Sequence, residues 1–356
     1  MTAVLLKSCD AVVTCDLNHT VHRDADVLIV GPEIKLIGRT LPTSELPQDT
    51  HTIDARGHAV YPGLINTHHH FFQCFVRNHA HLDWTKLSVI EWLDRIYPLF
   101  SSLDEDSFYH ASVAAIGELI KHGCTTAFDH QYNFPRHAGK RIIDRQFEAA
   151  ELFGMRFHAG RGTNTLPRSA GSTIPDEMLE STEEFIADCE RLIDTYHDSA
   201  EVTPVSQMQA ANVRIGLGVD GAASNDNSNL MHCVHSAYML QALVASTHEH
   251  EVPDPGKFLH YATRGGADLL QRPGLGTLEP GKAADLFMLD TRRLEFVGAL
   301  HDPESLIGKL GVFSPVDLTM INGRIVWQQG EFPGLDEAQL AADAQAHVER
   351  VVYPNL

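Results

Sequence analysis

The chain has 356 residues, 43% of them hydrophobic and 21% charged, the proportions of a soluble globular protein long enough to bury a large core. Its formal charge of -20 at pH 7 excludes nucleic-acid polymers and anionic membranes as partners, since both call for a basic surface, and leaves a small neutral or cationic ligand. Six cysteines, Cys9, Cys15, Cys74, Cys124, Cys189 and Cys233, are scattered without CxxC pairing, which suits a reduced compartment and packing roles.

The N-terminus, MTAVLLKSCDAVVTCD, lacks a signal-peptide pattern, and no run approaches about 18 uninterrupted apolar residues, so the sequence reads as cytoplasmic and unanchored. Short apolar runs then alternate with turn residues, Ala11 to Cys15, Asp26 to Val30 and Ile34 to Ile37, the pattern of a small antiparallel sheet. The pattern returns in Ala284 to Asp290 and in Asp317 to Trp327, where Asn322-Gly323 signals a hairpin. Residues 1–58 and 277–335 are therefore expected to form one β-sandwich bracketing a central domain, 59–276, with a terminal helix over 336–356.

The central domain alternates strands and helices. An apolar run, Val60 to Asn66, ends in His68-His69-His70. A long connection, about residues 71–103, holds Trp84 and Trp92 and lies where an active-site lid belongs. Asp104 opens a helix with Phe108, Ala111, Ala115 and Leu119 on its apolar side, closed by Gly123. The strand Cys124 to Phe128 ends in Asp129-His130. A helix over 141–153 is capped by Gly154, a strand runs from Met155 to Ala159 ahead of Arg161, and a third helix is expected from Asp176 to Tyr196. Val213 to Val219 reads as a strand ending in Asp220, followed by helices over 228–246 and 257–270. Such repetition implies a parallel β/α architecture, with polar residues at strand C-termini marking the site.

Strand parity decides what the triplet can do. Alternate side chains share a face, so His68 and His70 project together and His69 points away. Two neutral imidazoles on one face form half of a metal site, and the reading gains weight from Asp220, a carboxylate held at a second strand end by a polar turn.

The motifs PGLINTHHHFFQ, HGCTTAFDH, RIGLGVDGAASND, FLHYATRGGADLL and GTLEPGKAADLFMLD, spread over most of the chain, resemble those of the amidohydrolase superfamily, in its cytosine/guanine deaminase and chlorohydrolase branch. The resemblance implies an α/β fold, a (β/α)8 TIM-like barrel beside a β-sandwich, with one divalent metal, zinc before iron. It implies that His68, His70 and Asp220 are metal ligands, that Asp220 also moves the catalytic proton, and that the chain forms a homo-oligomer. The implied activity is hydrolytic deamination of a purine-like heterocycle of the 8-oxoguanine or guanine type. A triazine-type chlorohydrolase or amidase is the alternative within hydrolases, and an inactive, internally deleted subunit the alternative outside them. For holding the ring, the candidates are Gln73, three residues past His70, Trp92 and Arg161.

The same family pattern calls for an imidazole ligand ending a fifth strand, a glutamate after it and a histidine ending a sixth. Between His158 and Asp220 the only histidine is His197. A barrel of about 250 residues spends about 31 on each β/α unit, so four units between the third and eighth strands need on the order of 120 residues that this stretch does not contain. The fourth to seventh strands are therefore expected to be missing, with a junction near Glu201-Val202. An internal deletion is the favoured cause, ahead of a subset of a longer chain and of a half-barrel completed by a partner subunit. No lysine occurs between Lys140 and Lys257, which argues against the carboxylated-lysine bridge of two-metal relatives.

Overall fold

The computed structural model describes residues 2–78, 86–196, 214–225, 227–247 and 251–353; Trp84, His197 and the Glu201-Val202 junction lie outside them. The N-terminal alternation folds as β1 (Ala3–Val13), β2 (Val21–Val30), β3 (Glu33–Gly38), β4 (Thr50–Asp54) and β5 (His58–Pro62). β1 takes β2 antiparallel on one edge and β4, then β5, parallel on the other.

The histidine stretch follows directly. β6 (Leu64–Asn66) and β7 (His69–His70) lead into the connection, which contains α1 (Val89–Phe100), and then come α2 (Glu105–Lys121), β8 (Cys124–Gln131), α3 (Ile142–Phe153) and β9 (Arg156–Arg161). Local chemistry sets these boundaries. Asp104 caps α2 by accepting from Ser107 N at 2.9 Å, while Gly154 ends α3 at φ 71°, a left-handed turn that glycine adopts without Cβ strain. β6, β8 and β9 form a parallel sheet, and β10 (Asp220–Gly221) pairs parallel with β7. The order across this region is therefore β10, then the β6–β7 line, then β8, then β9.

Three elements differ from the sequence reading. The third helix is α4 (Thr182–Tyr196), because Ser181 and Glu184 exchange N-terminal capping bonds there, Glu184 N donating to Ser181 Oγ and Ser181 N to Glu184 Oε2; upstream, Asp176–Met178 is only a short 3-10 turn. Residues 214–219 are not a regular strand. Val219 N donates to the side-chain Asn66 Oδ1 at 3.0 Å instead of to a main-chain carbonyl, so the ladder is established only at β10. After α5 (Ala222–Asn225) and α6 (Leu230–Thr247), the expected helix over 257–270 is two, α7 (Gly256–Tyr261) and α8 (Arg264–Leu269), because Thr263, at φ -124° and ψ -97°, leaves helical geometry between them.

The C-terminal strands are β11 (Leu286–Asp290), β12 (Leu318–Ile321) and β13 (Arg324–Gln328), with α9 (Leu306–Leu310) between the first two. Asn322 and Gly323, at φ 56° and 73°, make the β12–β13 turn. β11 pairs antiparallel with β5, so both ends of the chain join one eight-stranded sheet whose core holds Leu6, Val27, Val60, Leu286 and Met320. The last helix, α10 (Glu337–Val351), docks on α2, where His347 Nε2 and Asp104 Oδ1 lie 2.8 Å apart. Among the described residues no helix is long and apolar enough to cross a membrane. The six cysteines are all free, four of them buried.

Candidate metal centre and cleft

β7 and β10 run side by side, Asp220 N donating to His68 O at 3.1 Å, and this places two histidines and a carboxylate at one strand end. His68 Nε2 and His70 Nε2 stand 3.3 and 3.4 Å from Asp220 Oδ1. The expected parity holds for the triplet: His69 is fully buried on the other face, its Nε2 3.0 Å from Ser228 Oγ and its Nδ1 accepting from His70 N at 2.8 Å. Burial pushes the His69 imidazole down to about 3 and that of His70 down to about 4, so both are neutral near pH 7. The hydrogen bond with His68 holds the Asp220 carboxyl down to about 2, and the same contact raises His68.

Deeper groups fix these side chains. His70 Nδ1 is 2.8 Å from the main-chain carbonyl of His130, so that nitrogen carries the proton and Nε2 keeps its lone pair for the cleft. Asp129, fully buried and pushed up by that burial to about 7, accepts from Phe71 N at 2.6 Å and from Gln146 Nε2 at 2.8 Å, anchoring the chain where it leaves β7. The donor set matches a zinc-type ion: neutral imidazoles and an ionised carboxylate, with the second nitrogen of His70 tied to a carbonyl. Besides His68 and His70, His130 brings a ring nitrogen into the group, all three lying within 4.8 Å of one another. The sequence reading placed His130 at a strand end without giving it a role, although the signal was the one that marked Asp220.

A cleft opens over this cluster, lined by His70, Gln73, Leu87, Val89, Trp92, Tyr132, Asp220 and Ser224 and enclosing ≈ 660 Å³ of empty space that is partly open to solvent. Gln73 and Trp92 both line this cleft. The Gln73 amide is clamped, Nε2 donating to Tyr132 Oη at 3.2 Å and Oε1 accepting from Ala223 N at 3.3 Å. Trp92 Nε1 is buried and has no hydrogen-bond partner among the described residues. Tyr132, not anticipated from the sequence, sets its ring edge against His70 at 4.9 Å.

Arg161 is a correction. Its guanidinium is consumed between β9 and α4: Nε donates to Asp188 Oδ2 at 2.9 Å, Nη1 and Nη2 to Glu180 at 2.6 Å each, and the group stacks 3.5 Å from the Phe134 ring centroid. It fastens a helix to a strand and does not line the cleft.

The amidohydrolase family model matches residues 59–203 and 199–326, two stretches that meet at the junction inferred from spacing. The hydroxydechloroatrazine ethylaminohydrolase of Pseudomonas sp. (strain ADP) is 42% identical over 99% of this chain and 96% of its own length. That alignment runs over 464 positions against a chain of 356 residues, so more than a hundred of them face no residue here. The 8-oxoguanine deaminase of Pseudomonas aeruginosa is 29% identical over 84% of this chain and 89% of its own length. Among solved structures, the atrazine chlorohydrolase of Arthrobacter aurescens TC1 complexed with zinc superimposes with a TM-score of 0.84 at 23% identity, covering 97% of this chain and 100% of that one, a likeness of fold.

Proposed function

The chain belongs to the amidohydrolase family, with a TIM-barrel-type α/β fold, and we propose that it is a metal-dependent aminohydrolase of a small nitrogen heterocycle. The observation that carries the proposal is the convergence of His68 Nε2 and His70 Nε2 on Asp220 Oδ1, beside the cleft that His70 and Asp220 line. A divalent ion held by these residues, zinc first, supplies acidification of water and polarisation of the ring. The rest falls to the chain itself. Asp220, ionised and half exposed, takes the proton of the attacking water on its carboxylate and delivers it to the departing ring substituent. Water adds to the ring carbon, the C–N bond breaks, and a hydroxylated ring and a free amine leave. Trp92 Nε1, a buried donor without a partner among the described residues, offers a hydrogen bond to a ring oxygen or nitrogen, and the clamped Gln73 amide keeps one hydrogen and one lone pair for the ring edge.

We assign residues 59–276 to the hydrolase barrel and 1–58 with 277–335 to the β-sandwich, and we read the barrel as lacking its fourth to seventh strands. The split family match and the excess of alignment positions support that reading. So do the helices on either side of the junction. Ile186 and Ile193 on α4, and Met239, Leu240 and Leu243 on α6, are exposed on the elements that would flank the missing units.

Identity of 42% over nearly the whole chain favours a hydroxylated triazine bearing an alkylamino group as substrate. The purine-like ring expected from the sequence stands second, supported by the 8-oxoguanine deaminase. Incubating the zinc-loaded chain with an ethylamino-hydroxytriazine, a chlorotriazine, guanine and 8-oxoguanine separates the readings by product. Ethylamine supports the first, ammonia from the purines alone supports the second, and chloride indicates a dechlorinase. A metal-bound chain inert toward all four overturns the proposal in favour of a non-enzymatic subunit.

A further inference from the structure

We infer that His130 provides the third imidazole of this chain's metal centre, in the place that the family pattern gives to a histidine ending a fifth strand. The inference rests on the metal-dependent reading above and names the residue that completes the half-site His68, His70 and Asp220.

Strand parity aims His130 at the cluster. On β8, Asp129 and Gln131 turn toward α3, where both bond to Gln146, at 2.8 and 3.3 Å. Phe128 and His130 therefore project from the opposite face of the strand, the side on which His68 and His70 stand. The His130 ring centroid is 5.8 Å from each of theirs, and the three nitrogens lie within 4.8 Å of one another. Tetrahedral zinc at about 2.0–2.1 Å from each nitrogen spaces neighbouring nitrogens about 3.3 Å apart, so side-chain rotation of the order of an ångström closes the group. His130 is free to make it: its side chain is exposed, and no hydrogen bond among the described residues holds its ring.

The main chain of the same residue strengthens the assignment. The His130 carbonyl takes the Nδ1 proton of His70 and thereby turns His70 Nε2 toward the centre. The end of β8 thus orients one imidazole through its backbone and offers a second through its side chain. Three imidazoles and the Asp220 carboxylate would supply four protein ligands without any residue from a fifth strand, and a fifth position on the ion would stay open to water.

Zinc binding to the full chain tests this, measured by competition with a chromophoric chelator and by the visible spectrum of the Co(II)-loaded protein. Wild type, His130→Ala, His68→Ala and the surface control His137→Ala are compared, with thermal unfolding to verify that each is folded. The expected result is one zinc per wild-type chain, affinity weakened about 100-fold or more by His130→Ala and at least as much by His68→Ala, Co(II) bands altered in both, and His137→Ala unchanged. If His68→Ala loses the metal while His130→Ala keeps wild-type affinity and spectrum, the role of His130 is overturned and the metal-dependent reading stands. If the wild-type chain binds no metal, both fall.

Discussion

The α-carbon of Gly221 faces the side-chain amide of Gln73 so closely that a Cβ at Gly221 would stand 1.8 Å from Gln73 Oε1. No L side chain fits there without moving the amide. Gly221→Ala should release Gln73 from Tyr132 and Ala223 and tilt β10, lowering stability by about 1–3 kcal/mol and raising KM more than an alanine elsewhere in the cleft. Urea unfolding together with steady-state kinetics checks it; an unchanged KM would show that the Gln73 clamp does not shape the cleft.

Arg161 gives the opposite pattern. It is a nearly buried guanidinium paired with Glu180 and Asp188, so Arg161→Ala leaves two carboxylates without their partner and should cost about 3–5 kcal/mol while KM stays unaltered in the folded fraction. Denaturation midpoints and kinetics below the transition separate the two quantities. A large KM effect with little loss of stability would return Arg161 to the substrate site.

The docking of α4 should weaken in acid. Asp144 on α3 accepts from Arg191 at 2.9 and 2.8 Å and from Tyr196 Oη at 2.8 Å; burial raises its carboxyl, but these hydrogen bonds outweigh burial and hold it below the ordinary value of 3.8. A folded-state value depressed below the unfolded one contributes stability that is complete above the unfolded pKa and is lost as pH falls through the folded one. Amide exchange in α4 should therefore accelerate below about pH 4, and Asp144→Asn should remove that pH dependence. Exchange in α4 that ignores pH in wild type would contradict the assignment.

The parts legible in the sequence were those set by short-range rules. Strand parity separated His68 and His70 from His69, Asp104 and Gly154 marked helix ends, and Asn322-Gly323 gave the hairpin. What escaped depended on partners distant in sequence. Residues 214–219 carry strand composition, yet Asn66 takes the Val219 N–H with its side chain and interrupts the ladder. Arg161 at a strand end looks like a ligand-binding cation until Glu180 and Asp188, 19 and 27 residues on, are seen to occupy it. His130 resembled Asp220 as a strand-end polar residue, but its approach to His68 and His70 follows from β8 lying beside β6, which spacing alone does not specify.

In the proposed reaction, one metal ion at His68, His70 and Asp220 drives hydrolytic release of an amine from a heterocycle. Titrating zinc into the metal-free chain while following amine release from an ethylamino-hydroxytriazine and from guanine tests this at its root. No turnover is expected before addition, then a rate rising to a break at one equivalent of zinc, and loss of that rate in Asp220→Asn. Turnover that persists in the metal-free chain, or no turnover from either substrate once one equivalent is bound, would contradict it.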